Sequence, residues 1–163
     1  MTTSDTGPPG RGSEQVELID VLVQSAFMTM ALLSSMAADN DLSLTQLRVL
    51  AILRDRRVRM SALAAYLGLD RSTMSGLVER AEKRGLLARA PDPSDGRAVE
   101  VFLTSDGAGL ADAVAARIER ELAPSTGRLD PGERGVLSML LRRVVGPERQ
   151  AGGQARPGGG RPG

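Results

Sequence analysis

The chain of 163 residues has no cysteine, no histidine and no tryptophan, and its aromatic side chains are limited to Phe27, Tyr66 and Phe102. The missing cysteines exclude a disulfide, a thiolate nucleophile, thiol-based redox sensing and a Cys/His zinc site. The missing histidines remove the side chain that most often moves protons near neutral pH. No glycine fingerprint follows a strand signal and no nucleophile elbow is present. The triplet Gly158, Gly159 and Gly160 follows no strand and is not a phosphate loop. Glu79 and Glu82 lie three apart but have neighbouring bases as partners. An enzyme is therefore not expected, nor a cofactor, nor a metal. No apolar run reads as the roughly 20 residues a membrane span requires. The polar start with Pro8, Pro9 and Gly10 is unlike a signal peptide. A cytoplasmic protein with no membrane partner is the expectation.

Scarce aromatics leave Leu, Val, Ala and Met to fill the core, and the length suits one domain, or one domain with an oligomerisation arm. The formal net charge of +1 is unevenly spread. Residues 14–42 carry five acids and no base, and residues 43–104 carry eleven bases against seven acids. Residues 105–146 hold six of each, and residues 147–163 three arginines against one glutamate. A basic middle beside an acidic segment points to an anionic partner for the middle alone. Nucleic acid is the first candidate, because a membrane-binding segment would set its basic face against a large apolar one.

The middle segment is organised around residues 70–85. Asp70 is a helix N-cap type whose carboxylate can accept from the backbone N–H of Ser72 or Thr73, and Gly85 suits the position just past a helix end. Met74, Leu77, Val78 and Ala81 fall at i, i+3, i+4 and i+7, so one face is apolar. The other carries Arg71, Ser72, Thr73, Ser75, Gly76, Arg80, Lys83 and Arg84. A polar face that is basic at both ends suits base edges flanked by phosphates, although an ordinary solvated helix face has the same composition.

The flanking elements decide between these. Ser43 and Gln46 form a capping box that starts a helix to about Arg54, expected to bury Leu47, Leu50, Ala51 and Ile52 or Leu53. Residues 54–59 read as a basic connector. Met60 or Ser61 opens a short helix through Leu67, which Gly68 ends. Two short helices joined by a tight glycine-containing turn make a helix-turn-helix whose second member is the reading element. Residues 86–89 then begin a strand, residues 90–96 are dense in turn formers, and Val99, Val101 and Leu103 alternate as in a half-buried strand. This is a β-hairpin with a long tip, and the whole of 43–104 is a winged helix-turn-helix. Before it, residues 14–38 lack Pro and Gly and form one long helix with an apolar arc wide enough for its own domain and a second chain. After it, Thr104 caps a helix with the stripe Leu110, Ala111, Val114, Ala115, Ile118 and Leu122, broken by Pro124 and Gly127. Asp130, Pro131 and Glu133 start a last helix carrying Val136, Leu137, Leu140, Leu141 and Val144. Residues 1–13 and the Gly/Pro/Arg tail 147–163 are expected to be disordered. An ordinary core helix is the competing reading of 14–38, and the fold class is mainly α with a small β-hairpin wing between the helical regions 14–42 and 105–146.

The segment Asp95-Gly96-Arg97, followed after five residues by Leu103-Thr104, resembles the wing signature of the MarR family of bacterial transcription regulators. Residues 67–75 and 82–86 are similar to that family's recognition helix, and the order of elements matches from about Glu14 to Val145. The resemblance implies a homodimeric, sequence-specific double-stranded DNA-binding regulator, a repressor, on a pseudo-palindromic operator, with 14–42 and 105–146 as its helical dimerisation arms. It places Arg97 at the wing tip in the minor groove, with Asp95 positioning Arg97 rather than touching DNA. It implies base or phosphate contacts for Ser72, Thr73 and Ser75, and phosphate contacts for Arg71, Arg80, Lys83 and Arg84. Many relatives release DNA when a small aromatic or acidic molecule binds, here near Phe27, Met30, Leu47 and Tyr66, for each of which core packing is the competing role. Gly76 stands where a larger side chain is common, so either the backbone approaches DNA there or base readout at that position is given up. Gly96 replaces a frequent second wing arginine. The alternative is a winged-helix protein-interaction module without DNA binding, against which the basic surface of 71–84 argues.

Overall fold

The computed structural model describes residues 11–146. The expectations for 1–10 and for the tail 147–163 lie outside them. The chain divides into two compact units, the first ending at Leu44 and the second beginning at Thr45.

The first unit is helix α1 (Arg11–Asp39), which starts three residues ahead of the expected Glu14. It ends where Asp41 takes a left-handed φ of 50° and the Ala37 carbonyl accepts from the Leu42 N–H at 2.8 Å. From Gly12 to Asp39 the helix is long and apolar enough to match a membrane-crossing helix by length and composition. This corrects the expectation that no segment approaches one: residues 21–38 carry no charge, and apart from Gln24 their polar residues are small. The Ser25 hydroxyl turns back onto the Val21 carbonyl at 2.5 Å and Thr29 onto Ser25 at 2.9 Å, so these polar groups are satisfied within the helix. Met36 and Ala37 are buried, whereas Leu18, Ile19, Val23, Phe27 and Met30 are exposed.

The second unit contains α2 (Leu44–Leu53), β1 (Val58–Arg59), α3 (Met60–Leu67), α4 (Arg71–Lys83), β2 (Leu87–Asp92), β3 (Asp95–Leu103), α5 (Ser105–Thr126) and α6 (Pro131–Val145). The apolar side of α2 is Leu47, Val49, Leu50 and Leu53; Ala51, expected inside, is exposed and Val49 takes its place. The connector expected over 54–59 ends in strand β1, which pairs antiparallel with β3 through Val58–Val101 and Arg59–Glu100. The sheet order is β1-β3-β2. Arg57, just before β1, lies over the Phe102 ring at 3.9 Å. The wing tip is shorter than expected. Strands β2 and β3 stay paired from Leu87–Leu103 out to Asp92–Asp95, leaving only Pro93 and Ser94 as the turn. Pro91 is tolerated because β2 is an edge strand, where a missing N–H costs little.

Gly68, with φ 68°, closes α3 in a left-handed cap, and the Leu69 N–H reaches the Ala64 carbonyl at 2.9 Å. The core of this unit is Leu50, Leu53, Val58, Leu63, Met74, Val78 and Val101, none more than 2% exposed. At its far edge Thr104 caps α5: its hydroxyl accepts from the Gly107 N–H at 3.1 Å and donates to the Gly85 carbonyl at 2.5 Å. The helix runs through Pro124 to Thr126, past the break expected there, and ends at Gly127. The expected stripe of α5 is buried only at Ala111 and Val114. Asp130 and Glu133 form the expected reciprocal capping box at the start of α6. No described residue of α6 is buried, and Val136, Leu137, Leu140, Leu141 and Val144 form an exposed apolar stripe.

Candidate nucleic-acid interface

Helix α4 sorts its residues by period. Met74, Leu77, Val78 and Ala81 are buried, and Arg71, Ser72, Thr73, Arg80, Lys83 and Arg84 are exposed, with Ser75 and Gly76 between. Its start is pinned by Asp70, whose carboxylate accepts from the Thr73 N–H at 2.8 Å, the Ser72 hydroxyl at 2.5 Å and the Thr73 hydroxyl at 2.6 Å. The expected cap is thus present, and it recruits both hydroxyls. Ser72 and Thr73 give their protons to Asp70 and present lone pairs outward. Lys83 pairs with Glu79 at 2.9 Å, four residues back, and that pairing draws the Glu79 carboxyl below its ordinary value. Both partners are well exposed, so the pair adds little stability.

An alanine methyl at Gly76 would meet nothing within 4 Å except the Arg80 guanidinium, at 3.5 Å. No contact inside the fold therefore requires glycine there. Gly76→Ala is expected to stabilise the protein by about 0.5–1 kcal/mol, seen as a small rise in Tm.

The wing is held by residues that sequence reasoning treated as connector and turn. Asp92 is the one buried charged residue among those described, at 6% exposure. It ion-pairs with Arg59 of β1 and accepts from the Ser94 N–H at 2.7 Å, the Ser94 hydroxyl at 2.6 Å and the Asp95 N–H at 3.2 Å. Arg59 also donates to the Ser94 hydroxyl at 3.0 Å. One step further along, the Asp95 carboxylate accepts from the backbone N–H of Arg97 at 3.1 Å. Arg59 and Asp92 are 33 residues apart, and nothing local in the sequence marks them as partners.

Between α3, the start of α4 and the wing lies a groove of about 860 Å³. Arg71, Ser75, Arg89 and Arg97 line it, with Asp95 as its only acid and Met60, Ala64, Leu69 and Val99 as apolar wall. Arg89, not singled out from the sequence, is paired with Glu82 of α4 at 2.5 Å. The groove brings Arg71, Ser75, Asp95 and Arg97 of the expected set together; Arg80, Lys83 and Arg84 lie further along α4 and do not line it. None of Phe27, Met30, Leu47 and Tyr66 lines it either. Phe27 and Met30 are exposed on α1, Leu47 is buried in α2, and Tyr66 is half-buried with Arg48 over its ring at 5.4 Å. Chemically, a groove with three guanidinium groups and the hydroxyls of Ser61 and Ser75 accepts an anionic backbone, and the outward face of α4 beside it offers hydrogen-bonding groups of short reach.

Asp70 and Asp92 both titrate well below the usual aspartate value of 3.8, Asp70 through the Ser72 and Thr73 hydroxyls and Asp92 first through Arg59 and then through Ser94. A carboxyl with a depressed folded value stabilises the fold fully above 3.8 and loses that contribution as pH falls towards its folded value. With no histidine to titrate, Tm is expected to stay level between about pH 5 and 8 and to fall below about pH 4. Asp70→Asn and Asp92→Asn should each flatten the acid limb in circular-dichroism melts.

Comparison with known proteins places these features in a wider set. The MarR family model matches residues 40–98, which include α3, α4 and most of the wing. The HTH-type transcriptional repressor NicR of Pseudomonas putida is 36% identical over 123 residues, 75% of this chain and 78% of that protein. Among solved structures, wild-type MarR from E. coli without ligand superposes with a TM-score of 0.61 at 26% identity, over 88% of this chain and 100% of that one. Bordetella bronchiseptica BpsR, described in connection with regulation of its DNA binding by 6-hydroxynicotinic acid, gives 0.60 at 30% identity, over 80% and 99%.

Proposed function

This chain belongs to the MarR family and is a DNA-binding transcription regulator, and from that premise we propose that it is a homodimeric, cytoplasmic repressor reading a pseudo-palindromic operator. The observation that carries the DNA-reading half is the outward face of α4 continuing into an arginine-lined groove, while the opposite face is locked in the core. In this reading residues 43–104 bind DNA. Ser72, Thr73, Ser75 and Gly76 lie against base edges; Arg71, Arg80, Lys83 and Arg84 hold phosphates; Arg97 enters the minor groove from a tip shaped by Asp95. A guanidinium suits the negative potential of a narrow minor groove. Residues 14–42 and 105–146 form the dimerisation arms, supported by the exposed apolar residues of α1 and the stripe of α6, more apolar surface than a monomer normally leaves in water. A winged-helix module that binds only protein would not need so cationic a face, and the relatives are transcription regulators.

Selection of DNA from a random pool by the full chain tests this: symmetric half-sites about one helical turn apart are expected, and no enrichment would overturn it. On the selected duplex, Arg80→Ala should flatten the slope of log K against log salt by about 1 per subunit, and an unchanged slope removes Arg80 from the phosphate contacts. We further propose that a small aromatic acid releases the DNA, supported by the ligand regulation described for BpsR. Titrating 6-hydroxynicotinic acid into the protein–DNA complex tests it, with loss of anisotropy expected and no change counting against that molecule.

A further inference from the structure

We propose that Arg59 is a positioning residue for DNA binding: by gripping Asp92 and Ser94 from the opposite edge strand, it fixes the two-residue turn from which Asp95 and Arg97 are presented. The inference rests on the reading that Arg97 touches DNA and extends it to a residue remote from the wing in sequence.

The geometry carries it. Arg59 sits on β1, at one edge of the sheet, and its ladder partner on central β3 is Glu100. The ion pair it makes is nevertheless with Asp92, at the end of the far edge strand β2. The guanidinium therefore spans the central strand diagonally toward the tip. At that end it meets two acceptors at once, the Asp92 carboxylate through Nε and the Ser94 hydroxyl through Nη2 at 3.0 Å. A planar fork does this; an ammonium cannot reproduce both directions.

What the fork grips is the hub of the turn. The Asp92 carboxylate is buried and also takes the Ser94 N–H, the Ser94 hydroxyl and the Asp95 N–H, so it fixes both residues that follow Pro93. Burying a charge without a counter-charge is costly, and here Arg59 supplies it. Asp95, placed by that hub, then holds the Arg97 N–H at 3.1 Å. The line of control runs from Arg59 through Asp92 and Asp95 to the backbone of Arg97. Without Arg59 the carboxylate keeps only turn donors, is drawn toward water, and takes the tip with it. Nε and Nη2 of Arg59 are both engaged with acceptors in the wing.

A double-substitution cycle on the full chain tests this, using the duplex selected by the wild-type protein and fluorescence anisotropy at several salt concentrations. Arg97→Ala should weaken binding by about tenfold, and Arg59→Ala by about three- to tenfold on the same grounds. In the Arg97→Ala background, Arg59→Ala should cost less than about twofold, because the side chain it positions is gone. Amide exchange of Ser94, Asp95 and Arg97 in the DNA-free protein should accelerate about tenfold in Arg59→Ala and stay fast in Arg59→Lys. Additive losses, with a further drop in salt slope of about 1 per subunit, would make Arg59 a direct phosphate contact and overturn the proposal. So would Arg59→Ala binding as wild type while Arg97→Ala does not. If Arg97→Ala itself binds as wild type, the wing reading fails, and the inference fails with it. Should Arg59→Ala not fold, Ser94→Ala removes one arm of the grip at an exposed position and is expected to show the same epistasis with Arg97→Ala at smaller amplitude; simple additivity there would overturn the proposal.

Discussion

Gly107→Ala should lower Tm by about 10 °C, from a destabilisation of about 3 kcal/mol. Gly107 lies in the first turn of α5, and a methyl group built on it would stand 1.9 Å from the Leu86 carbonyl oxygen and 2.9 Å from the carbonyl carbon. Both atoms are backbone, and the same oxygen accepts from the Thr104 N–H at 3.1 Å. No rotamer change relieves such a contact, so α5 must lift or the segment leaving α4 must move. Lifting α5 also stretches the Thr104 hydroxyl away from the Gly85 carbonyl, so the cap and the end of α4 loosen together. Gly109 is the internal control. It is in the same helix, and its added methyl would touch nothing within 4 Å. Gly109→Ala should raise stability by about 0.5–1 kcal/mol. Thermal melts of both variants at one protein concentration separate steric exclusion from helix propensity, and equal melting temperatures would refute the steric account.

The second large effect comes from the core side of α4. Met74 is fully buried, and Met74→Ala should cost about 3 kcal/mol, within the range for buried methionine truncations. Arg80, on the outward face, should change the salt dependence of DNA binding with little change in Tm, whereas Met74→Ala should lower Tm by about 6–12 °C and leave the salt slope alone. Measuring both quantities on both variants tests whether the two faces of one helix serve separable ends. A steep loss of salt slope in Met74→Ala would show that they do not.

What could be read from the sequence was mostly what is settled within a few residues. Asp70 and Thr73, Gly68, Thr104 and Gly107, and Asp130 and Glu133 are caps whose partners lie four or fewer residues away, and the structure has each of them. The division of α4 into buried and exposed faces followed from its period for the same reason. Features that depend on distant partners were not legible. Strand β1 exists because Val58 and Arg59 find residues 100 and 101, and two residues have no periodicity to detect. The run at 90–96 is rich in turn formers, yet Ala90, Pro91 and Asp92 lie in a strand, because pairing with β3 overrides local preference. In α2, Val49 and Ala51 exchanged their expected places since the choice of buried stripe depends on what packs against it. At the candidate site, the exposed cations of α4 could be picked out by composition, and Arg97 through the resemblance to the family's wing signature. Arg59, Asp92 and Arg89 could not, because each acquires its meaning from a residue on another element.

The web around Asp70 has a chemical corollary. Because Ser72 and Thr73 have already donated their hydroxyl protons, in the proposed binding mode these two hydroxyls, next to Arg71, would face a duplex as acceptors. In the major groove such acceptors complement the exocyclic amino groups of adenine and cytosine and find no match in the carbonyl oxygens of guanine and thymine. In that binding mode the letters beneath the two hydroxyls should be A or C on the strand they face, a bias the Asp70 carboxylate sets by holding their protons.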